Sequence, residues 1–267
     1  DIEQIVKHAS IHGIHKVKLT GGEPLMRSDI LDIVRKISPL AVDLSMTTNG
    51  LFLEDMALSL KQAGLSRVNV SIHSLNPDIY YQITGSRDLE RVKRGVKTAV
   101  EVGLTPVKVN MTVIAGYNED NIWEMMDFAA DIGAILQIIE MQKIPGYGLQ
   151  NNDRLWVDLK PLEEELKSRS IKIEKRSTQN RFLYTIPLDS KRNVSVEIVR
   201  PMHNIAFCEG CTRLRVTSDG KLKPCLYRQD NVVEVFSCDE QLGQERAIQQ
   251  AFEQSISNRE PYWRDEN

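Results

Sequence analysis

Val17-Lys18-Leu19-Thr20-Gly21-Gly22-Glu23-Pro24 decides the reading of this chain, together with the run from Asp29 to Ile37 that carries apolar residues at three- and four-residue spacing. A short β-rich stretch passes into a paired-glycine turn and then into a helix. The same unit recurs. Ala41 to Thr47, Val68 to Ile72, Val107 to Val113 and Leu136 to Met141 read as strands, separated by helical patterns over Asp55 to Ala63, Leu89 to Val102 and Asn121 to Ile132. Gly13, Gly64, Gly103 and Gly133 each follow a helical stretch, where a C-terminal cap needs a left-handed residue. Serial strand–helix units demand a parallel sheet with right-handed crossovers, an α/β fold. Five strands are visible where a full eightfold barrel shows eight, which predicts an open or partial barrel missing its first unit. Ligands of such folds sit at the C-terminal ends of the strands.

The texture changes after residue 145. Pro145-Gly146-Tyr147-Gly148 reads as a loop, 160–170 as a short helix, Phe182 to Ile186 and Val194 to Val199 as antiparallel strands, and Gln241 to Ser255 as a closing helix. The expected division is therefore 1–145 as partial barrel and 146–267 as a smaller α+β region.

Composition excludes several classes. With 267 residues, 41% hydrophobic and 27% charged, the chain has the make-up of a folded globular protein. No run approaches the ~20 apolar residues that span a bilayer, so no membrane partner is expected. A net charge of -3 argues against nucleic acid as a partner. Asp1 opens the sequence without Met or signal peptide, which predicts a beginning inside a longer protein. All four cysteines fall between 208 and 238, too few for a disulfide scaffold and suited to a local metal site in a reducing compartment.

The strand ends carry the chemistry. At Thr20-Gly21-Gly22-Glu23-Pro24 the glycines let a ligand approach the backbone, and Glu23 places a carboxylate beside it. Thr47-Thr48-Asn49-Gly50 ends the second strand, and Asn69-Val70-Ser71-Ile72-His73-Ser74 puts polar groups on alternate positions of the third. Lys108 and Asn110 share one face of the fourth; a lysine inside a barrel is costly unless it meets an anion, and a snorkelling surface lysine fits equally well. Cys208-Glu209-Gly210-Cys211 is followed by thirteen residues, Cys225, twelve more and Cys238. That spacing suits a four-thiolate zinc ribbon or a three-thiolate iron–sulfur cluster with one open iron, and buried free thiols remain the bland alternative. Period-two spacing puts Arg213 and Arg215 on one strand face, suited to a phosphate or carboxylate or simply to solvent. His73 and His203 stand alone and read as structural histidines. No Gly-x-Ser-x-Gly or P-loop is present.

Taken in order, Gly21-Gly22-Glu23-Pro24, Thr47-Thr48-Asn49-Gly50, Asn69-Val70-Ser71, Val107-Lys108-Val109-Asn110, Cys208-x2-Cys211-x-Arg213-x-Arg215 and Cys225 closely resemble the GTP 3′,8-cyclase family of molybdenum cofactor biosynthesis. These are radical S-adenosylmethionine enzymes. The resemblance implies a partial (β/α)6-type radical SAM barrel with its N-terminal unit missing, plus a C-terminal cluster-binding region. It implies that Gly22, Glu23 and Ser71 contact S-adenosylmethionine. Lys16, Lys18, Thr47 and Lys108 fall where the family meets GTP, and Arg213 and Arg215 match the pair that serves GTP during catalysis. Cys208, Cys211 and Cys225 match ligands of the second of two [4Fe-4S] clusters, whose open iron binds guanine. In the family a 5′-deoxyadenosyl radical takes hydrogen from C3′ of GTP and the ribose carbon closes onto C8. An electron donor and a downstream pterin synthase are implied partners, a homodimer is left open, and the implied location is the cytoplasm.

The sequence departs from the family in three places. The C-x3-C-x2-C motif for the first cluster precedes Gly21-Gly22 in the family, and it does not occur in this sequence; the chain as given is expected to be inactive alone. Gln137 stands where the family has an arginine, and Gln142, beside Met141, falls near a cofactor-contacting methionine. The chain ends Tyr262-Trp263-Arg264-Asp265-Glu266-Asn267, without the Gly-Gly tail of bacterial members. Two rivals remain: a peptide maturase with an auxiliary cluster, and a non-catalytic nucleotide-binding protein whose Cys238 completes a structural zinc site.

Overall fold

Polar and apolar residues alternate along the central strands, and the folded chain turns that alternation into one sheet with two chemically different faces. A computed structural model describes residues 1–142, 154–176, 178–236 and 243–264. The Pro145–Gly148 loop, Cys238 and Asp265–Asn267 lie outside the described residues. Helix α1 (Ile2–Ile11) precedes β1 (Lys16–Leu19), and then come α2 (Ile30–Ile37), β2 (Asp43–Thr48), α3 (Leu53–Gln62), β3 (Arg67–Ser71), α4 (Pro77–Thr84), α5 (Leu89–Glu101), β4 (Lys108–Val113), α6 (Ile122–Asp131) and β5 (Ile135–Glu140). The second half contributes α7 (Lys160–Arg169), β6 (Lys172–Lys175), β7 (Phe182–Pro187) and β8 (Asn193–Val199). It ends in α8 (Ile205–Glu209), β9 (Arg215–Val216), β10 (Lys221–Lys223), β11 (Val233–Glu234) and α9 (Gln244–Ser257).

The main sheet has eight strands in the order β1-β2-β3-β4-β5-β8-β7-β6. Neighbours from β1 through β5 pair in parallel, as the serial pattern predicts. The expected count of five needs correction: β8 pairs in parallel with β5, so a sixth parallel strand comes from the second half. Val194 to Val199 and Phe182 to Ile186 also pair antiparallel as expected, and β6 was missed because its charged residues hide any alternation. The fold is a partial parallel barrel with a smaller C-terminal region.

Register defines the two faces. Thr47 opposes Asn69, Asn69 opposes Lys108, and Asn110 opposes Ser71 and Gln137, which in turn opposes Glu197. These residues, with Lys18 beside Ser45, form a polar inner wall. The intervening Leu44, Met46, Val68, Val70, Val109, Met111, Leu136, Ile138, Val196 and Ile198 are buried on the other face with Val34, Leu53, Leu60, Val92, Val96 and Met126 of the helices. Full burial of one such side chain contributes about 1.5–3 kcal/mol, so this face holds the sheet in shape and leaves the polar wall free for function. The capping glycines 13, 64, 103 and 133 all have positive φ, as the cap geometry requires. Gly50 has a steric reason as well: a Cβ there would come within 2.7 Å of Val70 and 2.9 Å of Val92.

The small sheet β11-β10-β9 packs with α1 and α9 around Ile5, Leu222, Val235, Ile248 and Phe252. Here the expectation for the arginine pair is corrected. β9 covers only Arg215 and Val216, and Arg213 lies before it, its carbonyl accepting a bond from Arg259 Nη1 at 2.8 Å instead of joining the ladder. The two are therefore not on one strand, although their charges act on each other and both act on Cys211.

Candidate active site

The glycine turn after β1 is held by its own glutamate. Glu23 Oε1 accepts hydrogen bonds from Leu25 N–H (3.1 Å) and Thr48 Oγ1 (2.6 Å), and Oε2 accepts from Asn49 N–H (2.7 Å). Glu23 thus ties the end of β1 to the end of β2. Beside it, Gly21 has φ +134° and neither Gly21 nor Gly22 has an atom near where a Cβ would stand. The result is an open backbone cradle, which a side chain would fill. Thr47 and Ser71 are half-buried along the same inner wall, Ser71 at the end of β3. Asn69 donates to Asn110 at 3.4 Å, and its own Oδ1 is buried without a partner. Such an orphaned acceptor suits a ligand with a donor to offer.

Deeper in the wall is a fully buried carboxylate. Glu197 Oε2 accepts from Lys108 Nζ at 2.6 Å, Gln137 Nε2 at 2.8 Å and Arg181 Nη1 at 3.3 Å, and Oε1 accepts from Arg176 Nε at 2.8 Å. Burial alone would raise the Glu197 pKa, but the charge and hydrogen bond of Lys108, the charge of Arg181 and the bond from Arg176 carry it far below the usual range. Burial lowers Lys108 to about 8 against the pull of Glu197. Lys108 therefore meets an anion supplied by the protein, and Gln137 shares that anion.

Lys18 faces the same concavity. Burial among protein atoms, then the charges of Arg67, Arg213, Lys108 and Arg181, lower its pKa to about 7, although solvent still reaches its side chain. Arg213 is in the same position, brought down to about 10 by burial and by Arg181 and Arg215. Burial is the first cause in both cases and neighbouring cations add to it, and among the described residues neither Lys18 nor Arg213 forms an ion pair of its own. Lys16 lies exposed at the opposite end of β1, beside Asp43.

Three thiols close the far side. Asn204 caps α8 by accepting from Phe207 N–H at 3.0 Å, and α8 carries Cys208. Gly210 is required in the turn to Cys211, because a Cβ would come within 2.7 Å of the Asn180 nitrogen. Cys208, Cys211 and Cys225 are free and half-buried. Burial raises Cys208, backbone N–H groups of Trp263 and Tyr262 act in the opposite sense, and Cys225 and Cys211 add to the rise. Arg215 feels both Cys211 and Cys225, and Gln179 Nε2 lies 3.7 Å from Cys211 Sγ. Among the described residues no three His, Cys, Asp or Glu side chains are gathered closely enough for one ion. Thiols that share a field beside guanidiniums that favour thiolates have the donor chemistry an iron–sulfur cluster needs.

The sequence reading missed Glu197, Arg176 and Arg181. Glu197 alternates with Val196 and Ile198 in β8, a period-two signal that was present. The arginines flank the short turn between β6 and β7, and nothing in their spacing points inward. His73 and His203 have packing roles: half-buried His73 accepts from Thr112 N–H at 3.1 Å through Nδ1, and His203 packs against Trp263 with ring centroids 4.1 Å apart.

A parallel partial barrel with a glycine cradle and a polar wall, followed by a trio of half-buried thiols, is what a radical SAM protein presents, and the sequence comparisons agree: residues 1–129 match the Radical SAM superfamily, and residues 134–264 match Molybdenum Cofactor Synthesis C. A protein of Thermococcus kodakarensis named "Probable GTP 3′,8-cyclase" is 47% identical over 266 residues, covering 99% of this chain and 86% of its own length. One of the same name from Methanothermobacter marburgensis is 45% identical, covering 98% and 85%. The chain belongs to the GTP 3′,8-cyclase family, and through it to an enzyme class that uses S-adenosylmethionine and iron–sulfur clusters. The crystal structure of Streptococcus suis SuiB superposes with a TM-score of 0.61 at 18% identity, over 84% of this chain and 53% of that one, a likeness of fold alone. No described helix is long and apolar enough to cross a membrane.

Proposed function

We propose that this chain takes part in the cyclisation of GTP to (8S)-3′,8-cyclo-7,8-dihydroguanosine 5′-triphosphate, the first step of molybdenum cofactor biosynthesis, and that alone, without a C-x3-C-x2-C motif for the first cluster, it does not turn over. The observation that carries this reading is the gathering of Lys18, Lys108, Arg181 and Arg213 around a single carboxylate, Glu197, with a glycine cradle at the end of β1 and three thiols in the second half. A triphosphate supplies the further anion that this excess of cations suits. Family membership supplies the substrate.

S-adenosylmethionine and the clusters, when bound, supply the radical chemistry. The residues of this chain bind, orient and exclude water. Gly21 and Gly22 offer open backbone to the amino acid part of S-adenosylmethionine, and Glu23 keeps that backbone in place while Ser71 lines the wall beside it. Cys208, Cys211 and Cys225 would hold the second [4Fe-4S] cluster, leaving one iron for guanine. Lys18, Thr47, Lys108, Arg213 and Arg215 would bind GTP, and the arginines would bring charge to its phosphates in a concavity where charge acts strongly. Lys16 is a weaker candidate, given its place at the other end of β1. The reading includes an electron donor, a downstream pterin synthase and, as a further partner, a second copy of the chain. Free thiols of this kind suit the reducing cytoplasm.

Calorimetry on the anaerobic, iron-loaded protein tests the reading. GTP binds at least tenfold more tightly than ATP if guanine meets the cluster while phosphates meet the cations. Equal affinities overturn the guanine half of the account.

A further inference from the structure

We infer that Arg181 is a further anion-binding residue of this site, positioned by Glu197, and that it takes a phosphate oxygen of a polyphosphate substrate; the inference rests on the reading of the concavity as a GTP site. Arg181 stands immediately before β7, and its side chain is only 9% exposed. A guanidinium carries five donor hydrogens. Those of Arg181 find little: Nη1 reaches Glu197 Oε2 at 3.3 Å, Nη2 reaches Thr178 Oγ1 at 3.5 Å, and Nε is buried with no partner at all. Both contacts are longer than good hydrogen bonds of this type. Glu197 Oε2 is already engaged by Lys108 at 2.6 Å and Gln137 at 2.8 Å, so Arg181 is the weakest donor to a shared oxygen. Arg176 shows what a satisfied neighbour looks like, at 2.8 Å to the other oxygen and partly in solvent.

Charge points the same way. Lys108, Arg176 and Arg181 surround one carboxylate, an excess of two positive charges. Arg181 acts on Lys18, Lys108 and Arg213 alike, and feels Cys211, which puts it between the proposed phosphate cations and the thiols. A buried cation with an unmet donor is costly unless an anion arrives. Glu197 holds the guanidinium in place by one long bond and leaves most of its donors for that anion.

The test measures binding of GTP and of inorganic triphosphate to the iron-loaded protein, at low and raised salt, for wild type, Arg181→Gln, Arg181→Lys and Glu197→Gln. Arg181→Gln is expected to weaken both ligands about tenfold and to flatten the salt dependence. Arg181→Lys, which keeps the charge but not the fork, recovers part of the loss and guards against a folding defect. Glu197→Gln is expected to weaken binding although it makes the site one charge more positive, a direction that simple charge counting does not give. Wild-type affinity in Arg181→Gln overturns the inference, and tighter binding by Glu197→Gln overturns the positioning role. If wild type binds inorganic triphosphate without preferring GTP, the GTP reading falls while the same Arg181→Gln loss still supports the anion role. Binding of neither ligand by wild type overturns both.

Discussion

Lys108 Nζ lies 2.6 Å from Glu197 Oε2, joining a barrel strand of the first half to one of the second across 89 residues of sequence. The pair spans β5 and forms the floor of the concavity. Its two members are not equivalent. Lys108→Met leaves Glu197 with Gln137 and two guanidiniums, so the expected loss of stability is about 1–3 kcal/mol. Glu197→Leu strands buried Lys108 and Arg181 without a counter-charge, and the loss is expected to reach about 3–5 kcal/mol. Urea unfolding ranks the two; a larger loss for Lys108→Met contradicts the hub.

Lys18 makes anion binding pH-dependent. In the free protein its pKa is about 7, so it is mostly neutral at pH 8, and a bound polyphosphate favours the charged form. Binding at pH 8 should therefore take up protons, and uptake should fade toward pH 6, where Lys18 is already charged. Titrations in buffers of different ionisation enthalpy measure it. Lys108, brought to about 8, adds a second contribution, so Lys18→Met should reduce the uptake rather than abolish it. Uptake unchanged in Lys18→Met removes Lys18 from the site.

Gly50→Ala tests the turn that follows β2. The new methyl would stand 2.7 Å from Val70 Cγ1 on a backbone with φ +83°. Left-handed strain and overpacking each cost roughly 1–2 kcal/mol, so a loss of about 2–4 kcal/mol is expected. Thermal unfolding reads it, and a neutral result contradicts the packing described for α5 against β3.

The cysteines separate cluster from zinc. Cys208→Ser, Cys211→Ser and Cys225→Ser should each lose most of the reconstituted iron, while Cys238→Ala should keep it. Iron lost from Cys238→Ala to the same degree, with zinc bound by wild type, returns the four-thiolate reading.

Much of this was legible because local rules carried it. The strands and helices of the first half follow from periodicity and from glycine caps at 13, 64, 103 and 133, where only one residue type sits easily. The polar wall follows from alternation: Asn69 and Ser71 were read as lining it and Lys108 and Asn110 as sharing one face, and register and burial put all four together and remove the surface alternative for Lys108. What was not legible depends on pairing between distant segments. Nothing in Val194–Val199 says that it lies parallel to β5, so the sixth barrel strand went uncounted. For the same reason Lys108 had no visible partner, and nothing in the sequence drew Arg176 and Arg181 to it. The Arg213–Arg215 spacing overstated the strand, since two-residue β9 carries only Arg215, but the two charges do lie close enough to act on each other.

The most direct test of the central claim is electron paramagnetic resonance of the anaerobically reconstituted, reduced protein with and without GTP. The account predicts a [4Fe-4S] signal whose g-values shift when GTP is added, because guanine reaches an iron that the three thiolates leave open. Bound zinc in place of iron, or a cluster signal indifferent to saturating GTP, would contradict it.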